Sequence, residues 1–157
     1  MRPEVSDWVQ GIIAEYDPQP PVLEIGAYDV NGTIRHLFPQ AGYVGLDKRH
    51  GPGVDVIADV CTLRGTQPFG TVVCCETLEH IAAPWMAIPA MFGALRSGGL
   101  FIGTWCFVYQ IHDEPEDYWR VTPAGFRFLL EEAGFYEVRI DTQGEGPVGV
   151  FAVARKA

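Results

Sequence analysis

Val22-Leu23-Glu24-Ile25-Gly26-Ala27-Tyr28-Asp29-Val30-Asn31-Gly32 opens as a β-strand and ends as a polar turn closed by glycine. A short run of Val, Leu and Ile without apolar–polar alternation marks a strand buried on both faces. The turn leads into Thr33–Phe38, and a second apolar run, Tyr43-Val44-Gly45-Leu46, ends on Asp47, 21 positions beyond Gly26. Strand, glycine turn and an acidic residue about 20 positions on are what open α/β sheets use to hold a nucleotide. The glycine lets the backbone come close, and the carboxylate takes ribose hydroxyls. The turn is not Gly-x-Gly-x-x-Gly, because Tyr28 stands at the second close-approach position. A bulky residue there obstructs a pyrophosphate and argues against NAD or FAD.

Outward from this segment, apolar runs recur at Val54–Ile57, Thr71–Cys75, Leu100–Thr104, Tyr136–Ile140 and Val148–Val153, which makes seven expected strands. Helical patterns alternate with them. Ser6–Tyr16 places Trp8, Val9, Ile12, Ile13 and Tyr16 on one face, with Ser6 as its expected cap and Pro18, Pro20 and Pro21 as its stop. Pro84–Arg96 carries Trp85, Ile88, Met91, Phe92 and Leu95, with a kink expected at Pro89. Thr122-Pro123 is a cap followed by proline at the first helical position, and Gly134 closes that helix. Strands alternating with helices predict an α/β fold: a Rossmann-like, seven-stranded, mostly parallel sheet with helices on both faces. The turn Thr142–Pro147 is short, so the last strand should run antiparallel.

The chain has 157 residues, one domain's worth, and is 48% hydrophobic, which excludes a disordered polymer. Twenty acidic residues against eleven basic ones give a formal charge of −9, the wrong sign for tracking phosphates, so no nucleic-acid partner is expected. No apolar run approaches the roughly 20 residues of a membrane span. Nothing at the start reads as a signal peptide, and the expected location is cytoplasmic. Cys61, Cys74, Cys75 and Cys106 form no Cys-x-x-Cys pair and read as reduced, mostly buried thiols, with no metal implied.

Five segments, in order, resemble the motifs of class I S-adenosylmethionine-dependent methyltransferases, from about Pro21 to Arg155. Val22-Leu23-Glu24-Ile25-Gly26 is similar to the first and Val44-Gly45-Leu46-Asp47 to the second. Ala58-Asp59-Val60 follows, then Val72–Ile81 (Val-Val-Cys-Cys-Glu-Thr-Leu-Glu-His-Ile), then Leu95-Arg96-Ser97-Gly98-Gly99-Leu100-Phe101. A subgroup reading Asp-Val-Asn-Gly and Asp-Tyr-Trp-Arg-x-Thr-Pro looks most like Asp29–Gly32 and Asp117–Pro123.

The resemblance implies S-adenosylmethionine as cofactor and S-adenosylhomocysteine as product. Gly26 would admit the methionine part, with Glu24 accepting its ammonium or bracing the loop. Asp47 would take the ribose diol, Asp59 and Val60 would flank adenine, and Glu76 would lie beside the cofactor. Lys48, next to Asp47, and Tyr28 and Asn31 in the first loop join the expected cofactor site, with the choice among Tyr28, Asp29 and Asn31 left open. Asp59 also reads as an ordinary cap.

His80, four positions after Glu76, and His112 are the candidate general bases, since an imidazole titrates near neutrality. Either also reads as a structural histidine. Cys75 at the end of the fourth strand reads as a core thiol, not a nucleophile. The aromatic stretch 105–121 follows the fifth strand as a substrate-side lid. Trp105, Tyr109, Tyr118, Trp119 and Arg120 are its candidate substrate contacts, and Asp113, Glu114, Glu116 and Asp117 are its acids. The other reading is a lid packed on the sheet, with Arg120 satisfied by Asp113 or Asp117.

The expected organisation is one methyltransferase domain over 1–157, with an N-terminal helix in 1–17 and no inserted substrate domain. The expected partner is a small-molecule or glycan-type substrate methylated on oxygen or nitrogen, and a homodimer is left open. The alternatives are a non-catalytic cofactor-binding module or complex subunit, and a nicotinamide-dependent oxidoreductase. With so short a chain the site should be open on one side. Arg120, Arg35 and Arg49 are the few cations expected to meet an anionic acceptor.

Overall fold

The structure, a computed structural model, describes residues 2–64, 68–112, 115–143 and 148–157. Its elements run α1 (Pro3–Tyr16), β1 (Val22–Ile25), β2 (Tyr43–Asp47), β3 (Val56–Ile57), β4 (Phe69–Cys75), α2 (Pro84–Ala94), β5 (Leu95–Cys106), α3 (Pro123–Glu132), β6 (Phe135–Thr142) and β7 (Gly149–Lys156). The seven strands form one sheet in the order β3-β2-β1-β4-β5-β7-β6. β1 to β5 are parallel neighbours, and β7 inserts antiparallel between β5 and β6. This is the Rossmann-like sheet expected, with its chain reversal at the last strand. The tip of the β6–β7 turn, 144–147, lies outside the described residues.

Strand alternation explains the uniformly apolar sequences of the central strands. Leu23, Ile25, Val72 and Cys74 point to the face covered by α2 and α3, where they meet Ile88, Met91, Phe126 and Leu130. Val22, Val73 and Cys75 point to the opposite face and pack under Val5, Val9 and Ile12 of α1. Each strand therefore buries both of its faces, which a period-two pattern with a polar side could not do.

Two local expectations need correction. α1 begins at Pro3 with Arg2 at the N-cap position, so Ser6 lies inside the helix. Proline is favoured at the first helical position because it has no N–H to satisfy there, and it sets the start earlier than Ser6. α2 stops at Ala94, before the expected end at Arg96. Its continuation joins β5, whose pairing jumps from Phe69–Leu95 to Thr71–Leu100 around Gly98 (φ +74°). Thr33–Phe38 yields only a 3₁₀ turn, Arg35–Leu37. The expected cap at Thr122 holds: its side chain accepts from Gly125 N at 3.0 Å.

Among the described residues no helix crosses between β2 and β3, and only the 3₁₀ turn Val60–Thr62 lies between β3 and β4. The loop 48–55 instead lies directly on β2. Asp55 bonds Gly45 N at 2.7 Å, and a Cβ on Gly45 would come within 2.1 Å of Gly53 O. The missing crossovers leave an apolar groove of about 710 Å³ beside α2, bordered by Val56, Leu63, Trp85 and Met86. No helix among the described residues is long and apolar enough to cross a membrane.

Candidate functional site

The carboxyl ends of β1, β2 and β4 open into a cavity of about 580 Å³, within the range of small-molecule and cofactor sites. Its floor is the turn after β1. Gly26 has φ +77°, and a Cβ there would lie 2.1 Å from Thr77 Oγ1 and 2.4 Å from Thr77 Cγ2. Only glycine fits this close approach of two loops. Tyr28, Asn31, Asp47, Lys48, Asp59, Val60 and Glu76 join Gly26 in the lining, as expected from their separate motifs.

Tyr28 does not block the turn. Its ring lies against Gly51, where a Cβ would meet it at 2.0 Å, and the Arg49 guanidinium stacks 4.5 Å from its centroid. Asp47 Oδ1 accepts from Arg49 N at 2.9 Å, and its side chain is only 11% exposed, so the carboxylate is held in place at the cavity wall. Asp59 caps the following turn, accepting from Cys61 N at 2.8 Å, and it also lines the cavity. Asp29 accepts from Gly32 N at 2.7 Å and is not in the lining, whereas Tyr28 and Asn31 are, with Val30 and Gly32 beside them.

Glu24 is placed elsewhere. Strand alternation turns its side chain to the α1 face, where its carboxylate accepts from the Tyr43 hydroxyl at 2.9 Å. Burial pushes its pKa up to about 7. Glu24 is not among the residues that line the cavity.

Glu76 has φ +51°, an uncommon conformation for a side-chain-bearing residue and frequent at functional turns. Its carboxylate takes a two-pronged pair from Arg2, at 2.8 Å and 3.0 Å, and the Thr104 hydroxyl at 3.1 Å. Arg2 thereby closes one side of the cavity, with its guanidinium 5.5 Å from the Tyr109 ring centroid. Sequence reasoning missed Arg2, because nothing local marks a partner 74 positions away.

His80 and His112 both line the cavity, with ring centroids 4.9 Å apart. Burial lowers the pKa of His80. Between them lies Glu79, wholly buried, which sequence reasoning also passed over. Burial and then the charge of Glu76 push its carboxyl up to about 8. The signal available was an acid next to a histidine directly after a fully apolar strand.

The aromatic stretch divides. Tyr109 and Tyr118 line the cavity. Trp105 does not: at 2% exposure it is core, edge-on to Phe126 at 5.6 Å, because β5 continues through Cys106 and points it at α3. Trp119 faces away from the cavity, bonding Ala82 O at 3.2 Å and packing on Trp85. Arg120 braces the loop, with Nη2 bonding Asp117 at 2.7 Å and Gln110 O at 3.1 Å. That pair holds the Asp117 carboxyl well below the usual range. Arg35 is likewise paired with Asp55 at 2.8 Å, and Arg49 covers Tyr28, so the three arginines expected to meet an anion are all engaged within the chain. Asp113 and Glu114 lie outside the described residues. Burial pushes the Cys74 and Cys75 thiols well up, as befits core thiols.

No protein-family model matches the sequence, and no curated protein is similar to it in sequence. Solved structures are similar in fold. One is 1,6-didemethyltoxoflavin-N1-methyltransferase of Burkholderia thailandensis with bound 1,6-didemethyltoxoflavin and S-adenosylhomocysteine. It is 17% identical over 98% of this chain and 78% of that one, with a TM-score of 0.74. A second is the N-terminal domain of EvdMO1 in the presence of S-adenosylhomocysteine and D-fucose, 21% identical over 99% and 84%, with a TM-score of 0.70. A third is magnesium protoporphyrin IX methyltransferase of Synechocystis with bound S-adenosylmethionine, 17% identical over 98% and 79%, with a TM-score of 0.67. At these identities the likeness establishes the fold.

Proposed function

We propose that this chain is an S-adenosylmethionine-dependent methyltransferase whose acceptor is an oxygen or nitrogen of a small molecule or glycan-type metabolite. The observation that carries the reading is convergence. Residues from four separated motifs, Gly26, Asp47, Asp59 and Glu76, line one cavity at the carboxyl end of the sheet. Open α/β sheets bind ligands at that end.

The residues present fit the cofactor. The Gly26 turn presents backbone with no side chain in the way, for the methionine part. Asp47 at the end of β2 would take the ribose diol, and Asp59 and Val60, which line the same wall, would flank adenine. Lys48, Tyr28 and Asn31 complete the rim. When bound, the cofactor supplies an electrophilic methyl on a sulfonium. The protein's share is to align the acceptor with it and keep water out, which removes an entropy cost. Tyr109 and Tyr118 hold the acceptor from the roof. His112 or His80 takes the proton that the acceptor loses as the methyl arrives. The solved structure similar in fold with bound 1,6-didemethyltoxoflavin, and the one determined in the presence of D-fucose, support an acceptor of this size class.

Calorimetric titration with S-adenosylhomocysteine and, separately, with NAD tests the reading. Binding of the homocysteine product alone is expected. Tight NAD binding without it overturns the proposal. Incubation with methyl-labelled donor and fractionated cell extract then identifies the acceptor.

A further inference from the structure

The turn after β4 and the loop after β5 bring Glu79, His80 and His112 together, with one ligating atom of each within 4.8 Å of the other two. Glu79 is fully buried, and neither of its oxygens has a hydrogen-bond donor in good geometry among the described residues. The donors that act on it are its own backbone N–H and the Cys106 thiol, the latter a weak donor. A buried carboxylate left without partners costs several kcal/mol unless a proton or a cation joins it.

Both histidines are braced on their far side. His80 Nδ1 is 2.6 Å from Glu116 O. His112 Nδ1 is 3.2 Å from the Asp117 carboxylate, which Arg120 in turn fixes. Protons held on Nδ1 by these acceptors leave Nε2 of each ring as the ligating atom, and His112 Nε2 is 3.9 Å from Glu79 Oε1. An imidazole whose other nitrogen is tied to a carbonyl or carboxylate is the outer-shell arrangement of metal-ligating histidines. The loop is also pinned to the turn, because Tyr118 N donates to Glu79 O at 2.8 Å.

We propose that Glu79, His80 and His112 form a binding site for a divalent transition-metal ion at the acceptor end of the cavity. Two imidazoles with one carboxylate suit Zn²⁺, Co²⁺ or Fe²⁺, whereas Mg²⁺ and Ca²⁺ prefer all-oxygen sites. Bonds of about 2.0–2.2 Å require the three ligating atoms to draw in by roughly 1 Å. Both histidines line the cavity, so the remaining coordination positions face it. A hydroxyl or carboxylate oxygen of the acceptor is the chemistry that fills them; an imidazole that ligates the ion no longer takes the acceptor's proton, so with the ion bound this role replaces the general-base role of His80 and His112. The assignment of that oxygen to an acceptor rests on the methyltransferase reading; the ion site itself rests only on the three residues.

The test is cobalt titration of the full chain after chelator treatment, read by visible absorption, with zinc titration by calorimetry. One equivalent of Co²⁺ per chain is expected, with ligand-field bands that zinc displaces. Glu79→Gln and His112→Gln should each weaken binding at least tenfold, while His36→Gln and His50→Gln leave it unchanged. Circular dichroism and S-adenosylhomocysteine binding, followed in every variant, report whether the fold and the cofactor site persist. Absence of cobalt bands in the parent, or binding undiminished in folded Glu79→Gln and His112→Gln, overturns the proposal and leaves Glu79 a neutral acid. Loss of homocysteine-product binding in the parent removes the methyltransferase reading alone.

Discussion

Gly26→Ala probes the close approach on which the cavity floor depends. The new Cβ would sit 2.1 Å from Thr77 Oγ1, 2.4 Å from its Cγ2 and 2.8 Å from its Cβ, whereas ordinary contact begins near 3.4 Å. Thr77 must therefore retreat by more than about 1 Å, an overpacking event of roughly 1–3 kcal/mol. Retreat also strains its hydroxyl bond to Cys75 O, 2.9 Å long. The φ of +77° adds about 1–2 kcal/mol for any residue with a Cβ. The sum is a destabilisation of about 2–5 kcal/mol, to be read by urea unfolding with tryptophan fluorescence, provided the m-value is unchanged.

A double-mutant cycle with Thr77→Ala separates the two contributions. Thr77→Ala removes the two atoms that clash hardest, so the cycle should return a coupling of about 1–3 kcal/mol and leave the backbone strain. S-adenosylhomocysteine binding to Gly26→Ala should fall more than tenfold as the loop shifts. A Gly26→Ala chain within about 0.5 kcal/mol of its parent, or a cycle with no coupling, would refute the account of the turn.

Asp47→Ala should weaken binding of the homocysteine product more than tenfold, since a lost charge-assisted bond is worth roughly 1.5–3 kcal/mol. A change below about twofold in the same titration removes Asp47 from the ribose role. Glu24 predicts a pH effect. Its folded pKa, about 7, lies above its ordinary 4.5, so the native state holds the proton longer and ionisation costs stability as pH rises between those values. Glu24→Gln should therefore gain stability relative to its parent from pH 5 to pH 8, by an amount on the order of 2–3 kcal/mol. Parallel unfolding curves across that range count against it. Trp105→Ala should cost about 3–5 kcal/mol as a core truncation, whereas Tyr109→Ala should cost under about 1 kcal/mol while lowering acceptor turnover. Equal stability losses in urea would contradict the division of the aromatic stretch into core and roof.

The β1 turn, the spacing from Gly26 to Asp47 and the unalternating apolar runs were legible in the sequence, because each is a local pattern with its own period or punctuation. They indicated the sheet and, among the residues that line the cavity at its carboxyl end, Gly26, Tyr28, Asn31, Asp47, Lys48, Asp59, Val60 and Glu76. Two local readings failed where a neighbouring rule prevailed. Pro3 displaced Ser6 as the helix start, and β5 ran on through Trp105 and took that ring into the core.

What only the tertiary structure decided involves partners far apart in the chain. Arg2 meets Glu76 across 74 positions, the Tyr43 hydroxyl meets the Glu24 carboxylate that strand alternation has turned to the α1 face, and the loop after β5 carries His112 to Glu79. In each pairing a charged or buried polar group has to find a partner once it leaves water. The partner is whichever group the packed sheet and loops bring within about 3–4 Å. Periodicity fixes which way a side chain faces, but it carries no information about what comes to meet it from the other end of the chain.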